Sequence, residues 1–492
     1  WGPSPAGEGL SSKDQLMAIE AIQVRVPGTV TSYSNFGFAL LGEIVTEVSG
    51  ESFADYVRNH ILLPLGMDSS DVRLRTTAAP SELPWLAALQ AREAKAHRWK
   101  DGWYEPYDFP PSRSTIHADA AMSTTARDMA AYMQMHLNRG TLNGTQILSD
   151  GTWTRMSQPL FANGPETQAN AHGFWTNDYA GHRVIQHTGS INAFKSAMML
   201  LPDLGLGVFV STNSDSGSKL SGPLARRVVE HFFAPGATEA LEPPADYAER
   251  AELYNGKYIG TRRSNKRFDK VFSAVAGAVT VSSTDEGYLV LSRQGNSRRY
   301  VEVAEHTFDS VEDGGRIQFQ LGDDGAVRWL FTEGGSQAYE PPTFFEKPIS
   351  LAPPLALTVI AALAVLLTAA WRIFRPAAVA AAGRQVAMLW LLRGTAATWL
   401  IAFTVFGIAL GKVADDANSA IFGPYPFSGL IWSGYLLWLS GLLSLACGVL
   451  AVLAWREADG WQLRGKLAYG GVAAIFFLST IAFYQWNVFT LV

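Results

Sequence analysis

The chain reads as three successive fold classes: a mixed α/β part, a smaller all-β part and a set of membrane-spanning helices. Three observations predict this. Up to about residue 243, helix-cap signals alternate with short β-rich runs. From about 247 to 347 the pattern changes to strands joined by tight turns. After residue 350 come four apolar runs, each approaching the roughly 20 residues that cross a bilayer as a helix. The expected parts are 1–243, 244–350 and 351–492, and a chain of 492 residues is too long for one ordinary domain.

In the first part, Asn35 is placed to cap a helix running to about Ser49, with Gly50 just beyond it. Gly42 inside that helix lowers its propensity and points to close packing. Ser52-Phe53-Ala54-Asp55 reads as a capping box for a second helix that Pro64 stops, and Thr125-Ala126-Arg127-Asp128 repeats the device. That third helix is expected to end near Asn138, with Gly140 beyond. Arg183 to His187, Phe194 to Leu201 and Leu206 to Thr212 are short strands. The last two are joined by the turn Pro202-Asp203-Leu204-Gly205, where proline presets φ and glycine relaxes it.

Pro243-Pro244 marks the first boundary. Beyond it, Tyr288 to Leu291 and the alternating Arg316 to Leu321 read as strands, and the turn Gly322-Asp323-Asp324-Gly325 returns the chain through Ala326 to Thr332.

The four apolar runs are about Pro354 to Trp371, Gly394 to Gly411, Leu430 to Ala454 and Leu467 to Val488. The first connection carries Arg372, Arg375, Arg384 and Arg393, and the third carries Arg456, Arg464 and Lys466. The second, near Lys412, carries Asp415 and Asp416. The positive-inside rule therefore puts the first and third connections in the cytoplasm, and the part before Pro354 and the C-terminus outside. Arg393 could instead sit inside a longer second helix and snorkel to the interface. Few ionisable residues fall within the spans, which argues against a transport pathway. The net charge of −5 gives no reason to expect a nucleic-acid partner, and a single cysteine, Cys447, excludes an intrachain disulfide framework. No histidine set has zinc spacing, and neither metal nor cofactor is expected.

Two tripeptides carry the chemistry. Tyr33-Ser34-Asn35 precedes the first apolar helix, and His187-Thr188-Gly189 lies on a predicted strand, followed by Ser190. With Val26-Pro27-Gly28-Thr29, Phe36 to Ile44, Pro64-Leu65-Gly66-Met67 and Met122 to Met129, they resemble the serine β-lactamase and penicillin-binding superfamily, in particular its class C branch. The resemblance covers about Trp1 to Ala234. It implies an α/β serine β-lactamase-like fold, an antiparallel sheet flanked by helices, and the second part looks like the small β-barrel that often follows it.

The same resemblance implies the site. The family uses a Ser-x-x-Lys nucleophile, then Tyr-x-Asn, then Lys-Thr-Gly or His-Thr-Gly. The first motif is expected upstream of Trp1, which would leave this stretch inactive alone. Tyr33 matches the tyrosine that shares proton traffic with the motif lysine, and Asn35 the asparagine that bonds that lysine and the substrate amide. His187 matches the third-motif cation, which would hold a substrate carboxylate or help relay protons. Thr188 offers a hydroxyl to the same anion, Gly189 leaves the strand bare for substrate, and the Ser190 N–H is one oxyanion donor. Ser216-Gly217-Ser218-Lys219 has the Ser-x-x-Lys spelling. It follows the third motif, in a Gly/Ser-rich stretch expected to be a loop, and reads as a chance match. Trp99, Trp103, Tyr104 and Tyr107 form an aromatic segment, either a cleft wall or loop packing. The expectation is a membrane-anchored serine hydrolase acting on amide, lactam or ester bonds of small molecules or peptides, cell-wall peptides fitting best, with its catalytic face outside the cytoplasmic membrane. The alternative is a non-catalytic sensor that signals through the four helices.

Overall fold

The computed structural model describes residues 11–491 apart from 20, 75–82, 109–117, 166, 180, 192, 234–240, 267–269, 271–276, 294, 313–314, 375–382, 416–427 and 457–461. The upstream nucleophile expected beyond Trp1, Arg375 and Asp416 therefore lie outside the described residues. Two compact units emerge. One comprises 1–255, 282–291 and 298–339, the other 256–281, 292–297 and 340–492.

The N-terminal part begins with α1 (Ser12–Met17), α2 (Asn35–Ser49) and α3 (Phe53–Val57). Ser34, rather than Asn35, caps α2. Its backbone is extended, its Oγ accepts the Gly37 N–H at 3.1 Å, and Asn35 is the first helical residue. The α2 helix ends at Gly50 in the left-handed region, φ 73°, where a side chain would be strained. A Cβ on Gly42 would overlap the Ala118 Cβ, so the helix interior glycine does mark close packing. Ser52 caps α3 through the Asp55 N–H, and a π turn over Arg58–Leu62 carries the helical path toward Pro64.

Further along come α4 (Pro84–Gln90), the hairpin β1 (His97–Lys100) and β2 (Trp103–Pro106), and α5 (Ala126–Leu137). Thr125 caps α5 by accepting the Asp128 N–H, and Gly140 follows at φ 101°. A small hairpin, β3 (Thr141–Leu142) and β4 (Thr145–Gln146), leads to α6 (Asp150–Ser157).

The main sheet uses β5 (Phe161–Ala162), β6 (Ala169–Asn170), β7 (Trp175–Tyr179), β8 (His182–Ser190), β9 (Lys195–Leu201) and β10 (Leu206–Thr212). Their spatial order is β10-β9-β8-β7-β6-β5, antiparallel throughout. Strand alternation sends successive residues to opposite faces. Ile185, Met198 and Leu200 join Met133 of α5 and Trp153 of α6. Val184, Ala197, Met199 and Leu201 join Ala225 and Val229 of α7 (Ser218–Phe233). Helices thus cover both faces, as expected of this fold class.

After the short α8 (Ala251–Tyr254), eight strands close into a barrel: β11 (Gly256–Gly260), β12 (Ala278–Ser283), β13 (Leu289–Arg293), β14 (Asn296–Ala304), β15 (Thr307–Ser310), β16 (Arg316–Leu321), β17 (Val327–Phe331) and β18 (Ala338–Glu340). Closure leaves no sheet edge. Glu302, 7% exposed, is satisfied by the Arg250 Nε–H at 2.6 Å, the Tyr254 hydroxyl and the His306 backbone N–H, as a buried carboxylate requires.

In the second unit, four helices are long and apolar enough to cross a membrane: Ala352–Phe374, Arg384–Lys412, Ser428–Arg456 and Leu463–Gln485. The first three extend beyond the expected apolar runs at both ends, and the fourth starts four residues earlier and ends three residues earlier than its run. The second begins at Arg384, so Arg393 lies inside it, its guanidinium 5.1 Å over the Trp390 ring. The bundle core gathers Trp399, Leu437, Cys447, Phe476 and Phe483. Buried polar groups pair across helices, the Trp399 indole N–H donating to Ser444 Oγ at 3.0 Å and Thr358 bonding Ser479, because a buried polar group left unpaired is costly.

Candidate active site

Tyr33 lies on the extended approach to α2, its segment pinned from the barrel. Its N–H donates to the Ser336 carbonyl at 2.8 Å, and Ser32 forms an antiparallel bridge with Gln337. Both partners belong to the β17–β18 connection. Asn170 on β6 donates to Thr31 Oγ1 at 3.0 Å and to the Gly335 carbonyl at 3.3 Å, so one amide ties the tyrosine segment to that turn. Gly335 has φ 48°, and a Cβ there would stand 3.1 Å from the Gln168 carbonyl oxygen. Nothing in the local sequence links a barrel turn to Tyr33.

The Tyr33 ring is half-buried among Phe38, Trp175 and His187, with centroid separations of 6.4, 6.0 and 6.4 Å. Trp175 of β7 stacks flat on His187, 4.5 Å and 5°. Sequence reading missed Trp175, for it stands in no motif and acquires its place from the β7–β8 register, in which it pairs with Gln186. The packing dehydrates His187. Burial lowers its pKa, opposed in part by the Thr188 backbone, so the neutral ring is favoured at neutral pH.

Pairing of β8 with β7 stops at Gln186, while pairing with β9 runs on to Ser190. Thr188, Gly189 and Ser190 are exposed. Gly189 faces Ser196 across the strand pair, and a Cβ on it would overlap the Ser196 Oγ. The glycine is thus required by its neighbour as well as by any molecule lying on the strand. Asn35 sits half-buried at the start of α2. The structure therefore brings Tyr33 and His187 to one aromatic cluster and sets Thr188 to Ser190 on the strand leading away from it.

Lys195, the cation at the head of β9, was also missed. It stands opposite Ser190, its Nζ donating to Ser190 Oγ at 3.0 Å and to the Ile191 carbonyl at 2.9 Å. The aromatic segment forms the β1–β2 hairpin, docked on the residues that follow β10. The His97 N–H donates to the Asn213 carbonyl at 2.9 Å, the Trp99 N–H to Asp215 Oδ1 at 3.1 Å, and Tyr104 meets Ser216 Oγ at 3.3 Å. Trp99, Trp103 and Tyr104 keep more than half their surface exposed.

Ser216 lies on a 3-10 turn that leads straight into α7, which carries Lys219, so the expected loop is helical there. Ser216 Oγ bonds Ser214 and Tyr104, while Lys219 is exposed. Among the described residues, no three His, Cys, Asp or Glu side chains gather as a metal cluster.

A β-lactamase family model matches residues 10–294, more than half of the chain. The chain belongs to the β-lactamase family. This member is 27% identical over 230 residues to penicillin-binding protein 4 of Amycolatopsis lactamdurans, covering 45% of this chain and 57% of that one. It is 22% identical over 316 residues to penicillin-binding protein 4* of Bacillus subtilis, covering 62% and 65%. Against a D-aminopeptidase of Gluconobacter oxydans it is 22% identical over 198 residues, covering 40% and 34%. The chain thus spans less than two thirds of the length of these relatives. Among solved structures, the octameric penicillin-binding protein homologue from Pyrococcus abyssi aligns at 21% identity and TM-score 0.39, covering 68% of this chain and 70% of that one.

Proposed function

We propose that this β-lactamase family member is a membrane-anchored serine hydrolase working by acyl-enzyme chemistry on amide, lactam or ester bonds, with cell-wall-related peptides as substrates. Its working parts are 1–243 for chemistry, 244–350 as barrel and 351–492 as anchor. The observation that carries the reading is the meeting of Tyr33 and His187, far apart in sequence, in one aromatic cluster at the head of an exposed strand end. Tyr33 takes part in removing the serine proton, and His187 passes protons as a neutral ring. The Ser190 N–H stabilises the oxyanion, Thr188 and Gly189 line the bound acyl donor, and Asn35 orients its amide.

Acylation tests the reading. Full-length protein incubated with a fluorescent penicillin and with a fluorophosphonate ester should form a covalent adduct on a serine ahead of Tyr33. Ser216→Ala should label like wild type. An adduct on Ser216, or no adduct with either reagent, overturns the assignment.

The membrane reading places the part before Pro354 outside and the first and third connections in the cytoplasm, on the strength of Arg372, Arg384, Arg456, Arg464 and Lys466. In a Cys447→Ala background, Lys347→Cys should react quickly with an impermeant thiol reagent in intact cells. Gln385→Cys and Gln462→Cys should be protected until the cells are lysed. The reverse pattern inverts the topology and removes the cell-wall argument.

A further inference from the structure

Two 3-10 turns, Phe344–Glu346 and Pro348–Ser350, lead into the first long apolar helix. Side chains fix them. Thr343 and Glu346 close a capping box. Arg263, on the connection that follows β11 and 8% exposed, donates to Glu346 Oε1 at 2.9 Å and pairs with Glu340 Oε1 at 2.6 Å. The same connection reaches the end of the last helix. The Asn487 amide donates to the Asn265 carbonyl at 3.0 Å, and Lys270 Nζ donates to the Gln485 carbonyl at 3.3 Å. Ser350 Oγ accepts the Trp486 indole N–H at 2.9 Å. One ledge thus joins the lead-in to the first helix, the exit from the last and the connection after β11, all within the second unit.

Helix length sets the depth of this ledge. The 23 residues of Ala352–Phe374 rise about 34 Å, against a hydrocarbon core of about 30 Å. A helix of that length fills the core, so residues directly ahead of Ala352 lie at the headgroups. There the ledge exposes Phe344, Phe345 and Ile349, at 63%, 47% and 64%, the two rings edge-on at 5.2 Å. The cations Lys347, Arg262 and Lys266 are exposed as well. The carboxylates Glu340 and Glu346, in contrast, both pair with Arg263. The ledge therefore shows apolar side chains set among positive charge. That is the composition which a bilayer with anionic headgroups receives, the apolar groups sinking below the phosphates and the cations staying level with them. Because the ledge is continuous with the first helix, the bilayer lies against it already, and no further protein is needed to cover it.

We propose that this ledge is a lipid-recognition surface: Phe344, Phe345 and Ile349 insert at headgroup level, and Lys347, Arg262 and Lys266 receive the phosphates of anionic phospholipid. The β11 end of the barrel is thereby held on the membrane. This rests on the membrane reading above and names the lipid class that it engages.

The test uses the full chain in nanodiscs of mixed phosphatidylcholine and phosphatidylglycerol. In a Cys447→Ala background, Phe344→Cys, Leu363→Cys and Lys257→Cys each carry an environment-sensitive nitrobenzoxadiazole probe. Leu363 is an exposed residue within the first helix, and Lys257 an exposed one on β11. The probe at 344 should emit in the blue and be quenched by lipids spin-labelled near the headgroup, that at 363 by lipids spin-labelled at mid-chain, and that at 257 by neither. At 344, spin-labelled phosphatidylglycerol should quench roughly 5-fold more strongly than its phosphatidylcholine counterpart, the preference expected of one engaged cation. Combining Arg262→Gln, Lys266→Gln and Lys347→Gln should bring that ratio close to one and leave quenching at 363 as it was; the single variants should lower it in steps. A water-like probe at 344 overturns the proposal. So does a blue-shifted one that lipid does not quench, since a second copy or another protein then covers the ledge. A ratio near one before substitution, or one that the triple variant leaves unchanged, overturns it too. If the probe at 363 escapes lipid quenching, the membrane reading fails and the ledge with it; a quenched 363 beside a water-like 344 sinks the ledge alone.

Discussion

Tyr33→Phe should slow acylation of the full-length protein by roughly 10²- to 10⁴-fold, the range of a lost general acid–base group, with little change in thermal stability. The substitution removes only the phenolic oxygen. The ring contacts with Phe38, Trp175 and His187 survive, as do the backbone bonds from Ser32 and Tyr33 to the β17–β18 connection. Because the side chain is only half-buried, a missing hydroxyl opens no sizeable cavity. Burst kinetics with a chromogenic ester or penicillin separate acylation from hydrolysis of the adduct. A folded Phe variant with wild-type acylation would take Tyr33 out of the mechanism.

Acid should destabilise the N-terminal part through His136, by up to roughly 3 kcal/mol. His136 is 4% exposed, with its ring edge-on to Tyr132 at 4.6 Å and to Phe174 at 5.3 Å. Burial pushes its pKa down from 6.5 to about 4. Between those values the unfolded chain binds the proton and the folded one does not. The stabilisation is therefore complete above pH 6.5 and is lost as pH falls toward about 4. His187, lowered by the same cause, acts in the same direction. Urea titrations from pH 7 to pH 4 should show the slope, and His136→Phe should flatten it. Parallel slopes for the two proteins would show that the imidazole is not the acid-sensitive group.

Much of the architecture is written locally and can be read from the sequence. Thr125 and Ser52 cap their helices because the hydroxyl needs only an N–H three residues on. Gly50 and Gly205 end their elements because the left-handed backbone there, φ 73° and 62°, suits glycine. The strand Leu206–Thr212 and the four long apolar helices follow from residue type and run length alone. The one-residue error at the α2 cap, Ser34 for Asn35, is of the same local kind: both residues can cap, and the backbone chooses.

The surroundings of the site residues are another matter. Tyr33 and His187 can be picked out from their motifs, yet no spacing says that Trp175 covers His187, since that depends on the β7–β8 register. Nor does any window of sequence join Tyr33 to Ser336, a hydrogen bond between the approach to α2 and the β17–β18 connection. The motif is equally silent on how far His187 is buried: desolvation in the packed unit lowers its pKa, a property that no single stretch of sequence carries. Caps, turns and hydropathy are decided within a few residues by short-range sterics and hydrogen bonding, so the sequence determined them by itself. Burial and the partners across elements, such as Trp175 on His187 and Ser336 on Tyr33, are set by strand register and by elements elsewhere in the chain, so only the tertiary structure could decide them.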